Sequence, residues 1–148
     1  MVCLGNICRS PIADGLLRRK ISEQRLNATV DSAGTAAYHV GEAPDPRMRE
    51  TGKSLGTPID DLRARQFEVS DFDRFDLIYA MDRSNYNNIL KLARNKSDEN
   101  KVFMILNEAN PGKNLEVPDP YYGGDQGFIE VYKMLDVATD KIIEKHLK

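Results

Sequence analysis

The sequence predicts an α/β fold, a three-layer sandwich in which a four-stranded, mostly parallel sheet lies between helices. Two observations support it. Nearly continuous apolar runs over residues 77–80 and 102–106 are typical of strands buried on both faces of a parallel sheet. These runs alternate with segments of helical pattern, which is the usual order in layered α/β proteins. We therefore expect a ligand site beyond the carboxyl ends of the strands, where helices begin.

The other two strands are predicted from weaker signals. Residues 29–32 form one candidate strand, and Met1 and Val2 would be the end of another. The last helix has the clearest signal. Its apolar residues advance by three and four positions and make one stripe: Phe128, Val131, Leu135, Ala138 and Ile142.

Three further helix starts are marked by capping side chains. Ser10 precedes Pro11 and Asp45 precedes Pro46, so each pair offers an N-cap followed by proline at the first helical position. Asp82 is placed to cap a third helix.

Length and composition limit the class of protein. The chain has 148 residues, so we expect a single domain over residues 1–148. Its net charge of −2 argues against a dedicated nucleic-acid binder. No apolar run reaches the length of a membrane span, and the N-terminus lacks the pattern of a secretory signal. We therefore expect a cytoplasmic protein with no membrane or nucleic-acid partner, and we expect it to be a monomer.

Two cysteines, Cys3 and Cys8, are present, and they exclude a multi-disulfide scaffold and a four-cysteine zinc site. A mixed zinc site lacks partners, because His39 and His146 are the two histidines. We expect no metal and no other cofactor. His39 is expected on the surface of a loop, and His146 near a helix C-terminus.

Residues 3–10, here called the anion loop, lie between a predicted strand end and a predicted helix start. Their backbone N–H groups can converge on one point, where the helix adds its own free N–H groups and positive dipole end. Cys3 at the base of this nest would have a lowered pKa. Arg9 could hold two phosphate oxygens with its planar guanidinium, and Ser10 could donate a hydrogen bond to the sulfur. Gly5 and Asn6 tolerate the left-handed backbone that the curl needs.

The sequence matches the C-x5-R-[S/T] signature of cysteine-dependent phosphatases, with Cys3, five intervening residues, Arg9 and then Ser10. The fuller string VCLGNICRSP resembles the low-molecular-weight protein tyrosine phosphatases. Further segments match that family in order: residues 31–35, 64–66, 81–85 and 119–123. The resemblance implies a phosphotyrosine phosphatase I-like fold and hydrolysis of a phosphotyrosine protein or aryl phosphate through a phosphocysteine intermediate on Cys3. The phosphate would be bound by Leu4, Gly5, Asn6, Ile7, Cys8, Arg9 and Ser10.

Asp119 is the candidate general acid. It lies between Pro118 and Pro120, which restrict the backbone on both sides, and tyrosines follow. An apolar setting would raise the pKa of its carboxyl, as a proton donor requires; the alternative interpretation is an ordinary Asp-Pro turn, which is common. The family resemblance assigns Asp119 as the acid and then as the base that activates water. We call residues 117–121 the acid loop.

The same resemblance assigns supporting roles. Asn6 is expected to hold the turn of the anion loop, and Ser32 and Asp82 to brace it. Ser32 can equally be a strand-end hydroxyl. For Asp82 the helix cap alone is a sufficient explanation.

Tyr38, Tyr121 and Tyr122 are expected by resemblance at the mouth of the phosphate pocket. Aromatic walls make a deep slot that favours phosphotyrosine over phosphoserine. For Tyr122, packing against the core is an equally good interpretation. Ile7 resembles the tyrosine-directed members, because members that act on phosphoarginine have threonine there.

Two other functions stay open. An arsenate reductase resembles this chain in the anion loop but uses downstream cysteines, so here it would need an external thiol. A non-catalytic phosphate-binding module would keep Arg9 but would have no use for Cys3 or Asp119. We also expect redox sensitivity, because a reversible Cys3–Cys8 disulfide would protect Cys3 from over-oxidation.

One feature departs from the family. Only Met1 and Val2 precede Cys3, whereas family members usually carry a longer strand there. The first strand is therefore expected to be truncated.

Overall fold

Four parallel strands form the centre of the computed structural model, which describes residues 1–122 and 124–148 apart from the side chain of Tyr122. The strands are β1 (Val2–Cys3), β2 (Ala33–Gly34), β3 (Ile78–Ala80) and β4 (Val102–Met104). Their order across the sheet is β2-β1-β3-β4. Val2 of β1 lies opposite Ala33 on one side and Ala80 on the other. The predicted four-stranded parallel sheet is confirmed, and β1 lies inside it.

The helices account for most of the remaining regular structure. They are α1 (Arg9–Glu23), α2 (Pro46–Ser54), α3 (Asp71–Arg74), α4 (Arg83–Leu90), α5 (Lys96–Glu99), α6 (Leu106–Ala109) and α7 (Asp125–Ile142). A 3-10 helix over Pro120–Tyr122 precedes α7, and a π-helical turn over Ile143–Leu147 continues it. None of the helices among the described residues is both long and apolar enough to cross a membrane.

The sheet separates two apolar cores, which gives the predicted three layers. The larger core lies where α1 and α7 pack together, and Ile12, Leu16 and Leu135 are fully buried there. The smaller core lies on the α4 side of the sheet and includes Phe72 and Ile89. Burial of one such side chain stabilises the fold by about 1.5–3 kcal/mol. The two cores therefore fix the carboxyl end of β1, from which the anion loop extends.

Three details of the strand prediction are wrong. Residues 29–32 form no strand, and β2 instead comes directly after them at Ala33–Gly34. Ala33 donates its N–H to the carbonyl of Met1, so pairing with β1 fixes this strand rather than any apolar pattern of its own. The run 102–106 forms a strand only to Met104, and Leu106 begins α6. Phe103 is more than a third exposed because β4 is an edge strand.

The predicted cap of α1 is also wrong. The helix begins at Arg9, so Cys8 is the N-cap residue and makes no capping side-chain bond. The Ser10 hydroxyl instead bonds within the anion loop. The caps at Asp45 and Asp82 are confirmed: their carboxylates accept N–H bonds from Arg47 and Asn85, respectively.

Candidate active site

Cys3 is the last residue of β1 and the first residue of the anion loop. Its Sγ is 3.0 Å from the Oγ of Ser10, and both residues are buried. Asn6 donates its Nδ2–H to the same Oγ at 2.7 Å, so the Ser10 hydroxyl hydrogen has two acceptors within reach, the sulfur and, at the longer distance of 3.4 Å, the carbonyl of Ala33. A thiolate can only accept in this pair, so Ser10 is then the donor.

Asn6 holds the turn of the loop with both ends of its amide. Its backbone has φ 57°, the left-handed conformation that asparagine tolerates better than most residues. Nδ2 also donates to Ser32 at 3.0 Å, and Oδ1 accepts the N–H of Arg65 at 3.0 Å. These bonds join the loop to both β2 and the segment that carries Arg65.

The two residues that follow β2 also support the loop through their backbone. Thr35 and Ala36 donate their N–H groups to the carbonyls of Cys3 and Leu4, each at 2.9 Å. A Cβ on Gly34 would lie 2.7 Å from the carbonyl oxygen of Leu4, so a larger residue does not fit at this crossing. Sequence reasoning did not assign this role to Gly34, although the glycine within the segment 31–35 was its one visible signal.

Arg9 is a buried cation that connects the two functional loops. Its Nη1 donates to Asp82 Oδ2 at 2.7 Å and to the carbonyl of Val117 at 3.0 Å. Burial of Arg9 disfavours its charge, but the nearby Cys3 and Asp82 outweigh burial and raise the pKa of the guanidinium. The second nitrogen, Nη2, lies 3.7 Å from Asp119. Asp82 therefore both caps α4 and binds Arg9, and the interpretation as a cap alone was incomplete.

Asp119 lies at the edge of this arrangement. Its side chain is one-third exposed, and its Oδ1 accepts the backbone N–H of Tyr121 at 3.0 Å. The other oxygen, Oδ2, is the one that faces Arg9. At the start of the acid loop, the N–H of Val117 donates to Met81 at the end of β3.

A cavity of about 200 Å³ opens between the two loops. It is lined by Cys3, Leu4, Gly5, Ile7, Cys8, Arg9, Tyr38, His39, Asp119 and Tyr121. Asn6 and Ser10 are not in this lining, and they act on the loop from behind. The side chain of Tyr122, the third predicted wall, lies outside the described residues.

His39 is a cavity residue that the sequence analysis treated as an ordinary surface residue. Its ring packs against the anion loop, because a Cβ on Gly5 would lie 3.0 Å from its Cδ2. Its Nδ1 lies 2.8 Å from Glu42. Gly5 therefore makes room for the imidazole and does not adopt the left-handed backbone that we expected of it. The position of His39 next to Tyr38 was the one available sequence signal.

Cys8 lines the cavity as a buried thiol. Burial is the main cause that raises the pKa of Cys8, and the negative charge of Asp45 adds to it. Cys8 is therefore a protonated thiol at neutral pH.

A buried free cysteine, an arginine held by hydrogen bonds and an aspartate around one small cavity are the arrangement typical of the class of cysteine-dependent phosphatases. Comparison with known proteins identifies the family within that class. The family model described as low molecular weight phosphotyrosine protein phosphatase matches residues 1–148. The chain therefore belongs to this family of hydrolases, which work through a phosphocysteine intermediate.

Individual relatives agree with the family model. A low molecular weight phosphotyrosine protein phosphatase of Schizosaccharomyces pombe is 45% identical over 137 residues, which cover 90% of this chain and 86% of that protein. The crystal structure of a protein tyrosine phosphatase from Entamoeba histolytica, with Hepes in its active site, superposes with a TM-score of 0.90 at 42% identity. That match covers 97% of this chain and 92% of the other. A Drosophila arginine phosphatase superposes with a TM-score of 0.88 at 28% identity, over 97% and 93% of the two chains.

Proposed function

We propose that this chain hydrolyses phosphotyrosine with Cys3 as nucleophile, Arg9 as phosphate ligand and Asp119 as proton donor. The observation that carries the proposal is that all three side chains line one cavity of about 200 Å³. Arg9 Nη2 is 3.7 Å from Asp119 Oδ2, close enough for both side chains to contact one phosphate ester.

In the first step the Cys3 thiolate attacks phosphorus and an S–P bond forms. The bond from phosphorus to the tyrosine oxygen breaks, and Asp119 transfers its proton to that oxygen, so free tyrosine leaves. Charge on the phosphoryl oxygens is stabilised by Arg9 and by N–H groups of the anion loop, including those at the start of α1.

In the second step water attacks the phosphocysteine. The Asp119 carboxylate takes a proton from this water, the S–P bond breaks, and inorganic phosphate leaves with Cys3 again a thiolate. The hydroxyl of Ser10, 3.0 Å from Sγ, stabilises the sulfur as it becomes the leaving group. Each proton and electron pair is returned, so no cofactor is consumed.

The two tyrosines at the cavity favour an aryl phosphate. Tyr38 and Tyr121 are among the lining residues, where they can contact the face of a substrate ring. A phosphoserine side chain has no ring for these tyrosines to contact. Phosphoarginine is the second candidate, because a structural relative is an arginine phosphatase; Ile7 at the cavity wall favours tyrosine.

A substrate panel tests the proposal. Wild-type protein and Cys3→Ser are assayed with para-nitrophenyl phosphate and with phosphotyrosine, phosphoarginine and phosphoserine peptides. We expect turnover of the aryl phosphates, loss of turnover in Cys3→Ser, and retained binding of inorganic phosphate by that variant. Phosphate binding without any turnover by the wild type would indicate a binding module. Thiol-dependent reduction of arsenate without phosphatase activity would indicate a reductase.

We also propose a redox role for Cys8. Peroxide would oxidise the Cys3 thiolate to a sulfenic acid with release of water, and the Cys8 thiol would then attack that sulfur, release a second water and form the disulfide. An external thiol would reduce it. Both cysteines line the same cavity.

Mass spectrometry after mild peroxide treatment tests this role. Loss of two hydrogens from the wild type, recovered with dithiothreitol, is the expected result. Cys8→Ser should instead collect a sulfinic acid on Cys3. A stable sulfinic acid in the wild type would contradict the proposal.

Since Cys3 must stay reduced to work, we propose a cytoplasmic location. We also propose that the protein acts as a monomer.

A further inference from the structure

Arg47, at the start of α2, makes contacts that the catalytic cycle above does not use. Its guanidinium forms a fork with Asp45, through Nε to Oδ1 at 3.2 Å and Nη2 to Oδ2 at 3.1 Å. The same Nη2 donates to the carbonyl of Tyr121 at 3.1 Å. The guanidinium also lies over two rings, 5.5 Å from the centre of Tyr121 and 4.7 Å from that of Phe128. The Arg47 side chain therefore connects Asp45, the N-cap residue of α2, to the acid loop.

The other end of this chain of contacts is the anion loop. Asp45 donates its backbone N–H to the carbonyl of Ile7 at 2.8 Å. Asp45 is buried, and its carboxylate also accepts the N–H of Arg47 at 2.8 Å, so its position is fixed on both sides. A continuous series of hydrogen bonds thus runs from Ile7 through Asp45 and Arg47 to Tyr121.

The series ends on the proposed acid. Tyr121 accepts from Arg47 at its carbonyl and donates its N–H to Asp119 Oδ1 at 3.0 Å. The Asp119 side chain is one-third exposed, so burial alone does not fix it. Arg9 binds the loop on the Val117 side. Arg47 supplies a second attachment, on the opposite side of Asp119.

We propose that Arg47 is a positioning residue, which sets the distance from Asp119 to the phosphate bound in the anion loop. It does not touch the substrate. Lysine would not replace it fully, because lysine lacks the planar fork that joins the Asp45 carboxylate and the Tyr121 carbonyl at once. This inference rests on the proposed role of Asp119 as proton donor.

The test is the dependence of kcat/KM on the leaving group. Phenyl phosphate needs a proton for its leaving oxygen, whereas para-nitrophenolate leaves without one. Misplacing the acid should therefore harm phenyl phosphate more. We expect Arg47→Ala to lower kcat/KM about tenfold for phenyl phosphate and less than about threefold for para-nitrophenyl phosphate. Inhibition by inorganic phosphate should stay within about twofold of wild type, because the anion loop is intact.

Arg49→Ala is the matched control. Arg49 is on the same helix and donates to a backbone carbonyl, that of Pro44 at 3.0 Å, and none of its hydrogen bonds among the described residues reaches the acid loop. We expect this variant to behave as wild type. Arg47→Lys should recover part of the loss on phenyl phosphate and also covers the case in which Arg47→Ala folds poorly.

Asp119→Asn separates the two hypotheses. If it shows the leaving-group effect and Arg47→Ala does not, the positioning role is wrong and the acid assignment stands. If Asp119→Asn shows no such effect, the acid assignment fails and the inference fails with it. Equal losses on both substrates in Arg47→Ala, with weaker phosphate inhibition, would mean general damage to the site and would overturn the proposal. The double variant should be no slower on phenyl phosphate than Asp119→Asn alone.

Discussion

Cys3 and Arg9 of the anion loop are each 3% exposed, whereas Tyr121 in the acid loop is 41% exposed and the Asp119 side chain 33%. The anion loop is also bonded from behind, through Asn6 and the backbone of the residues that follow β2. The acid loop is held by two arginine side chains that reach it from elsewhere in the chain.

This difference corresponds to two tasks. A site for a phosphate needs donors that are already in place before the anion arrives, because reorganising them would reduce the stabilisation of the transition state. The acid must admit the substrate and give up a proton, so partial exposure suits it. We infer that a change in the bonds behind the anion loop will affect stability, and that a change of the Asp119 side chain will affect chemistry with little effect on stability.

Arg9→Lys should have the largest effect of any change outside Cys3, because Arg9 serves both loops. We expect a loss of about 10³-fold in kcat/KM, since lysine cannot hold two phosphate oxygens or reach Asp82 and Val117 together. Steady-state assays with para-nitrophenyl phosphate measure this. A loss below about tenfold would contradict the assigned role.

Asp119→Asn should lower kcat/KM for phenyl phosphate by about 10²-fold. The amide keeps an oxygen for the N–H of Tyr121 but cannot supply the acidic proton. Because Asp119 is partly exposed, we expect the free energy of unfolding to change by less than about 0.5 kcal/mol. Kinetics and urea unfolding on the same preparation give both values. Strong destabilisation would show that the Asp119 side chain contributes to the stability of the fold.

Asn6→Ala should act on stability. It removes three hydrogen bonds, two of them buried and one partly buried, and places alanine at φ 57°, so we expect a loss of about 2–4 kcal/mol in the free energy of unfolding. Asn114 is the matched control, because it has a similar φ of 52° in an exposed loop. Asn114→Ala should cost about 1 kcal/mol. Equal losses in urea unfolding would mean that the bonds of Asn6 contribute nothing.

Asp71 gives a smaller, pH-dependent effect beside the anion loop. Burial opposes its charge, but hydrogen bonds from Arg65 and the N–H of Glu68 hold the pKa of its carboxyl below the ordinary value. The unfolded chain then binds this proton more readily, so the stabilisation is present above the ordinary carboxyl pKa and is lost as pH falls through the lower folded value. Asp71→Asn should cost about 1–3 kcal/mol at neutral pH, and the difference from wild type should shrink in acid. A difference that stays constant with pH would refute this.

The sequence predicted the features that local chemistry determines. The apolar stripe from Phe128 to Ile142 is on α7, and its Phe128, Val131 and Leu135 are buried, because helical period alone sets the buried face. The caps at Asp45 and Asp82 follow from side chains that satisfy nearby N–H groups. Cys3 and Arg9 belong to one short loop, so the local sequence alone likewise predicts that they lie close together.

What the sequence did not reveal depends on distant contacts. The strand β2 has no pattern of its own and forms because its backbone pairs with β1. Arg47 and Tyr121 are 74 residues apart, and their contact requires the packing of α2 against α7. The second role of Asp82, as partner of Arg9, joins residues 73 apart.

The central claim is that Cys3 carries the phosphoryl group. Rapid acid quench during turnover of para-nitrophenyl phosphate, followed by peptide mass spectrometry, tests it most directly. We predict one added phosphoryl group on the peptide that contains Cys3 and no such adduct in Cys3→Ser. Full turnover with an unmodified Cys3 peptide at every quench time, or undiminished turnover in Cys3→Ser, would contradict the account.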